Sequence, residues 1–474
     1  MNSPAEPATF IHPDRVRRLN DRPWRPGRFV LYWMQQAQRA QDNPALQFAC
    51  GQGQRLGLPV VVVFALLRRY PEATRRHFRF MLEGLVETEQ ALAAAGIPLL
   101  VRRGEPVPVV LDLAQQAAGI VCDRAYLPPL VAWRTTVAAS ASCAVWQVET
   151  ELVVPADTAS ERVEVAARTL RPRIMRHLAE HLEVATDAPV QSADPPTLMG
   201  ESLHDLDGLC QGIDADRTPG PVTRFFAGGH TNAERALDRF MRTALDGYAV
   251  RRRHPEAAAV SHLSPYLQYG QISAQRIAAT VAARPGTASA DRDAFLDELI
   301  VRRELAHNFT LRHPAWDRYE GIPAWARESL ARHAGDPRPH VYDLTQLEAA
   351  TTHDPYWNAA MTEARLTGYM HNHLRMYWGK KILEWSPDAQ TAHARCLYLN
   401  NRYFLDGLSP NSYANVGWLF GLHDRPWPER PIFGTVRYMN AAGLERKCDI
   451  AAYVAGIRRL AVDDIKPSRN CHKV

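Results

Sequence analysis

Pro59-Val-Val-Val-Val-Phe-Ala-Leu-Leu67 is the longest apolar run in the chain, and its reading decides the fold. It is far shorter than the roughly 20 residues a membrane-spanning helix needs. Its first part, Pro59–Phe64, predicts a buried strand. Upstream, Phe29-Val-Leu-Tyr-Trp-Met34 is a second run of the same kind. Downstream come Pro98-Leu-Leu-Val101, Gly119-Ile-Val-Cys122 and Ala144-Val-Trp-Gln-Val148. Helical segments are predicted between them, near 35–50, 72–95, 107–118 and 130–140. Strands alternating with helices imply βαβ units and a mainly parallel sheet covered on both faces. This α/β domain is expected over 26–183, after a loose arm at 1–25 rich in Pro, Arg and Asn. Residues 184–222, with Ser192-Ala-Asp-Pro-Pro196 and Thr218-Pro-Gly-Pro221, read as a linker laid over the surface. From 223 to 462 the periodicity is helical, with segments at 232–246, 271–283, 291–308, 344–350, 355–385, 390–397 and 448–460. The fold class expected is an α/β domain followed by an all-α domain, with a tail at 463–474.

Composition fits that division. A chain of 474 residues is too long for one ordinary core. Hydrophobic content of 46% with 23% charged residues describes a globular protein with no membrane partner. The start, Met1-Asn-Ser-Pro-Ala-Glu-Pro, lacks the charged and apolar regions of a secretion signal, so a cytoplasmic monomer is expected. Seven scattered cysteines without Cys-x-x-Cys spacing argue against a disulfide framework and a zinc ribbon. A net charge of +5 permits a nucleic-acid partner without demanding one.

The chemistry concentrates in Met370-His-Asn-His-Leu-Arg-Met-Tyr-Trp-Gly-Lys-Lys-Ile-Leu-Glu-Trp385, followed by Leu399-Asn-Asn-Arg-Tyr-Phe-Leu-Asp-Gly407. Trp378 and Trp385 are about two helical turns apart, on one face and about 10 Å apart along the axis. Buried aromatics at that spacing can relay an electron, and the Arg, Asp and Asn residues beside them can hold a redox cofactor. Ser261-His-Leu-Ser-Pro265 suits an anion, because a helix start offers free N–H groups and partial positive charge. Glu298 lies on a helix mixing acids and arginines, and Arg251-Arg-Arg-His254 is a compact basic cluster fit for phosphate contact. Two decoys stand nearby. Gly51-Gln-Gly-Gln-Arg-Leu-Gly57 misses the dinucleotide spacing and lies between a helix and a strand in the wrong order. His177-Leu-Ala-Glu-His181 matches a zinc pattern but sits in a segment studded with Arg and Glu that reads as a solvated helix. No metal site is expected.

Phe29–Gln35, Ala166-Ala-Arg-Thr-Leu-Arg171, Leu263-Ser-Pro-Tyr-Leu267, Glu298-Leu-Ile-Val-Arg-Arg-Glu304, His353-Asp-Pro-Tyr-Trp-Asn-Ala-Ala360, Arg375–Trp385 and Gly421-Leu-His-Asp-Arg425 occur in a characteristic order. Taken together, they resemble the photolyase/cryptochrome family, and in detail its class II cyclobutane pyrimidine dimer photolyases, over residues 28–460. The resemblance implies a Rossmann-like antenna domain, then a helical domain holding FAD, active as FADH⁻. It implies FAD contacts from Tyr248, Ser261, Leu263, Ser264, Asn372, Arg375, Asn400, Asp406 and Asn411. Arg375 would pair with Asp406, and Asn400 would lie near flavin N5. The implied electron route runs from Trp378 through Trp357 to an exposed Trp385. Glu298 would hydrogen-bond the lesion, with Met376 and Trp418 as apolar walls. Arg251, Arg253, His254 and Arg302 would meet DNA. The implied partner is ultraviolet-damaged DNA, with the dimer flipped out of the duplex.

Three departures matter. His254 stands where class II enzymes often have Asn, and Arg302 where many photolyases carry Trp. Val148-Glu-Thr-Glu-Leu-Val-Val-Pro155 replaces a family stretch of the antenna half, where relatives bind a deazaflavin-type pigment. The alternatives are a cryptochrome-like photoreceptor without repair activity and a light-independent DNA-binding module. A (6-4) photolyase would have His in place of Met376.

Overall fold

The computed structural model of the chain describes residues 11–183 and 193–465. Its single named sheet contains β1 (Val16–Arg18), β2 (Phe29–Trp33), β3 (Val60–Leu66), β4 (Leu99–Arg103), β5 (Ala117–Asp123) and β6 (Ala144–Val148), in the order β1-β6-β5-β2-β3-β4. All pairings are parallel except β1 with β6. Every residue of β2 and β5 is buried, which is why the sequence there is continuously apolar rather than alternating.

Successive side chains of β2 and β3 enter opposite layers. Val30, Tyr32, Val60 and Val62 pack with Leu46 and Leu85, from helices Pro44–Leu56 and Arg75–Ala94. Leu31, Trp33, Val61 and Val63 pack with Val110 and Val137, from helices Pro106–Ala114 and Pro128–Ser140.

Several expectations are corrected. Residues 16–18 belong to no loose arm: they pair antiparallel with β6, Val16 opposite Val148. Arg15 anchors them by donating to the carbonyls of Glu149, Leu152 and Val153 from a buried position. The helix expected at 35–50 begins at Pro44, where Asn43 accepts the N–H groups of Ala45 and Leu46. Gly51 and Gly53 therefore lie inside a helix, and Gly57 ends it in the left-handed conformation, φ 64°. The linker reading fits only loosely. Residues 184–192 lie outside the described residues, but Leu203, Leu209, Cys210 and Ile213 are buried in the same core as β3.

In the helical half, the segment expected as one helix at 355–385 breaks at Gly368, φ 74°, into Pro355–Thr367 and Asn372–Trp385. That break lets the two helices pack on each other. The 390–397 segment extends to Ala389–Tyr403, and helices Ala324–Arg332 and Pro410–Leu419 were not anticipated. The 291–308 segment is interrupted by a π turn at Asp297–Arg302, between Ser289–Leu296 and Arg303–Arg312.

Arg76 and His77 join the sheet region to the helical part. Arg76 donates to the carbonyls of Gly220, Ala364, Arg365 and Tyr403, and His77 Nε2 meets the Phe404 carbonyl at 2.9 Å.

Candidate functional site

The Asn372–Trp385 helix is buried nearly all round, and Arg375 leaves it toward the turn that follows Ala389–Tyr403. There its two terminal nitrogens donate to both carboxylate oxygens of Asp406, at 2.9 and 3.0 Å. Nε donates to the Met370 carbonyl at 2.9 Å, and the guanidinium lies 4.2 Å from the Phe404 ring centroid. Three hydrogen bonds and an aromatic face fix this cation in one orientation.

Asn400 is buried one turn before Phe404. Its amide nitrogen donates to Asn401 Oδ1 at 3.2 Å, and among the described residues no hydrogen bond to its own Oδ1 is seen. Asn401 in turn accepts the Leu408 N–H at 3.2 Å and donates to Glu72. The turn carrying Asp406 is thus braced from the Asn400 side.

The three tryptophans implied by the resemblance come together. Trp357 Nε1 donates to the Trp378 carbonyl at 3.0 Å, and the Trp357 and Trp385 rings lie 5.6 Å apart at 66°. Trp378 contacts Phe404 at 6.0 Å between centroids, which links the row to the Arg375 cluster. Trp385, expected to be exposed, is only 2% accessible. The rings of Tyr342 and His353, each 5.3 Å away, cover it, and Tyr342 N–H bonds the Trp385 carbonyl.

Glu298 sits in the π turn, half-exposed, and accepts a 2.5 Å charge-assisted hydrogen bond from Arg252. Such turns re-aim side chains and recur at functional sites. Arg252 also lies 5.8 Å from the Tyr248 ring. Burial first, then Glu298, pushes the Tyr248 hydroxyl up to about 12, so it stays protonated. Arg252 was not singled out in the sequence. Its signal was the i,i+4 spacing from Tyr248, which puts both on one helical face.

The other expected residues are more dispersed. Ser261 Oγ accepts the Leu263 N–H at 3.4 Å, and Ser264 opens the short helix Ser264–Gln268. Asn372 is exposed at the first turn of its helix, and Asn411 is half-buried in the first turn of Pro410–Leu419. Met376 and Trp418 are half-buried on separate helices. Lys380 Nζ and the Arg437 guanidinium stand 5.4 and 5.2 Å from the Trp418 ring. Burial pulls the Lys380 ammonium down to about 7.

Arg251 and Arg253 are exposed. His254 Nδ1 lies 3.2 Å from Glu256, and Arg302 is tied to Asp297 at 3.3 Å. In the departing stretch, Glu151 bonds His307 at 2.6 Å and Arg303 at 3.1 Å, so it ties the end of the sheet to the Arg303–Arg312 helix.

A cavity of about 150 Å³ opens beyond the carboxyl ends of β2, β3 and β5, the position where open parallel sheets receive ligands. Trp33, Phe64, Tyr70, Trp133, Gln268 and Tyr269 help line it, and Arg375 and Tyr248 do not. The loop after β2 that forms one wall is pinned by buried Asp123, which accepts the N–H groups of Gln35, Gln36 and Ala37. Among the described residues no helix is long and apolar enough to cross a membrane.

Comparison with known proteins agrees with this architecture. A family model described as DNA photolyase matches residues 30–195. A deoxyribodipyrimidine photo-lyase from Methanothermobacter thermautotrophicus is 41% identical, over 95% of this chain and 99% of that protein. One from Arabidopsis thaliana is 36% identical, over 95% of this chain and 94% of its own length. Among solved structures, a bacterial class III photolyase from Agrobacterium tumefaciens matches with a TM-score of 0.71, over 94% of this chain and 91% of that one. At 20% identity that likeness shows the fold alone.

Proposed function

The chain belongs to the DNA photolyase family, and on that premise we propose that it is a class II enzyme using light to repair cyclobutane pyrimidine dimers in DNA. The observation that carries the reading is the junction of the fixed Arg375–Asp406 pair, the Asn400 amide and the buried tryptophan row.

The residues present suit FAD. His262 Nδ1, His371 Nε2 and His373 Nε2 are buried polar atoms without protein partners, near the Ser261–Ser264 turn and the start of the 372–385 helix. Tyr248, Ser261, Leu263, Ser264, Asn372 and Asn411 would hold the phosphates and sugar chain. Bound in its reduced form, the flavin supplies a light-driven one-electron donor. Arg375 would set a cation beside the ring system, held in one orientation by its two bonds to Asp406. Asp406 fixes the direction of that charge. Asn400 would offer a neutral amide to the ring edge, adding no charge there. Trp378, Trp357 and Trp385 would give a buried path for electrons to the cofactor site.

Glu298 would hydrogen-bond the bases of the flipped-out dimer, which requires Arg252 to share or release its carboxylate. Met376 and Trp418 would form apolar walls against the lesion. Arg251, Arg253, His254 and Arg302 would meet the DNA backbone and the gap left in the duplex. The cavity beyond the sheet would take a planar antenna pigment, since Trp33, Phe64, Tyr70, Trp133 and Tyr269 offer ring faces in its wall.

The test is to reduce the purified protein chemically, illuminate it with an oligonucleotide carrying one thymine dimer, and assay restored thymines against a dark control. Flavin retained with no thymine restored would move the protein to the photoreceptor reading.

A further inference from the structure

The His177–His181 pattern acquires a different meaning in three dimensions. His177 stays on the surface and meets Glu180 at 2.7 Å. His181, at the end of helix Ala167–His181, turns inward with its side chain fully buried. That corrects the expectation of a helix solvated throughout. Among the described residues neither ring nitrogen of His181 has a hydrogen-bond partner. A buried imidazole with both nitrogens unmatched is costly unless something else occupies a lone pair.

His181 Nε2 points at Asp14, 3.8 Å from Oδ2, and the rings of His181 and His12 are 4.3 Å apart. His12 Nδ1 is 4.0 Å from the same Asp14 oxygen. One ligand atom from each residue lies within 4.8 Å of the other two.

We propose that His12, Asp14 and His181 bind one divalent metal ion of the zinc class, stapling the start of β1 to the end of the Ala167–His181 helix. Zinc–nitrogen and zinc–oxygen bonds near 2.0–2.2 Å set ligand atoms roughly 3.3 Å apart in a tetrahedron. The two separations to Asp14 Oδ2 need to close by less than about 1 Å, and the one between the two imidazoles by no more than about 1.5 Å. Two imidazoles and a carboxylate select zinc, cobalt or nickel over magnesium or calcium, which take oxygen ligands.

The surroundings support it. Thr158 Oγ1 donates to Asp14 Oδ2 at 3.0 Å and orients the carboxylate. Arg15 is the unfavourable neighbour, but its guanidinium is committed to three backbone carbonyls, and Asp14 and Glu180 oppose its charge. Metal at His12 Nδ1 replaces a long 3.3 Å contact from the Asp14 N–H. The Asp14 side chain is 42% exposed, so solvent reaches the cluster.

The experiment uses the full-length, flavin-loaded protein, stripped with a chelator and titrated with zinc against a chromophoric competitor. One zinc per chain is expected, with a melting temperature that rises with free zinc. His12→Gln and Asp14→Asn, both at partly exposed positions, should each weaken binding by at least the roughly 10–100-fold that second-shell changes already cost. His177→Gln should change nothing. No zinc bound by the wild-type protein, or equal binding by His12→Gln and Asp14→Asn, overturns the proposal. So does loss of binding in His177→Gln, which would put the metal on the exposed His177–Glu180 pair.

Discussion

Replacing Asp406 by Asn should damage cofactor retention and stability together. The substitution keeps the shape but removes the charge that fixes Arg375, and it turns one of two accepting oxygens into a donor facing a donor. Arg375 and Asp406 side chains are 20% and 12% exposed, much closer to a buried pair than to a surface one. Surface pairs are worth about 0.2–1 kcal/mol, whereas breaking a fully buried pair costs about 3–5 kcal/mol. At this exposure the cost is about 2–4 kcal/mol, most of it from leaving the guanidinium uncompensated against Phe404. For a helical unit of this size, that corresponds to a fall of roughly 5–12 °C in melting temperature. The assay is thermal denaturation of wild type, Asp406→Asn, Arg375→Gln and the double variant, with flavin absorbance per chain after gel filtration. The double variant should be no worse than Asp406→Asn alone, because the stranded charge has gone. A change below about 1 °C with full flavin content in Asp406→Asn would refute the reasoning.

Three further outcomes are expected. Glu298→Gln should lower repair yield roughly tenfold, the worth of one charge-assisted hydrogen bond, and leave flavin bound; unchanged repair would remove Glu298 from the lesion site. Trp357→Phe should abolish photoreduction of oxidised flavin while chemically reduced protein still repairs, and normal photoreduction would show that charge takes another path. Acid should destabilise the fold through His77, whose ring is buried and held down to about 4, against an ordinary 6.5. Above pH 6.5 neither state takes the proton and the stability is intact. As pH falls from 6.5 toward 4, the unfolded chain binds a proton that the folded chain refuses, costing about 2 kcal/mol by pH 5. His371 and His393 act in the same direction. Urea midpoints at pH 7 and 5 should converge partly in His77→Gln, and an unchanged difference would show that His77 titrates normally.

What the sequence revealed follows from how each feature is encoded. β2, β3 and β5 were readable because strands buried on both faces are written as near-continuous apolar runs. β1 was not, because Val16-Arg-Arg is an edge strand held by an arginine that bonds distant carbonyls. The Arg375–Asp406 pairing spans 31 residues and two helices, a distance over which periodicity carries no information. It was expected only through the resemblance, and the structure does bring the two side chains together.

The tryptophan row shows the same boundary more sharply. Spacing on one helix put Trp378 and Trp385 on one face, but the distance between them is bridged only because Gly368 reverses the chain and lays Trp357 alongside. Whether Trp385 reaches solvent depends on a segment more than thirty residues earlier, where Tyr342 and His353 close over it. Helical periodicity reports the face a residue lies on, not what later covers that face. The same blindness hid Arg252, read only as part of a compact basic cluster, though its four-residue spacing from Tyr248 turns it inward to Glu298. The residue that bonds the proposed lesion-facing carboxylate was therefore missed. Glu298 itself was expected through the resemblance, yet its place in a π turn left no mark in the sequence.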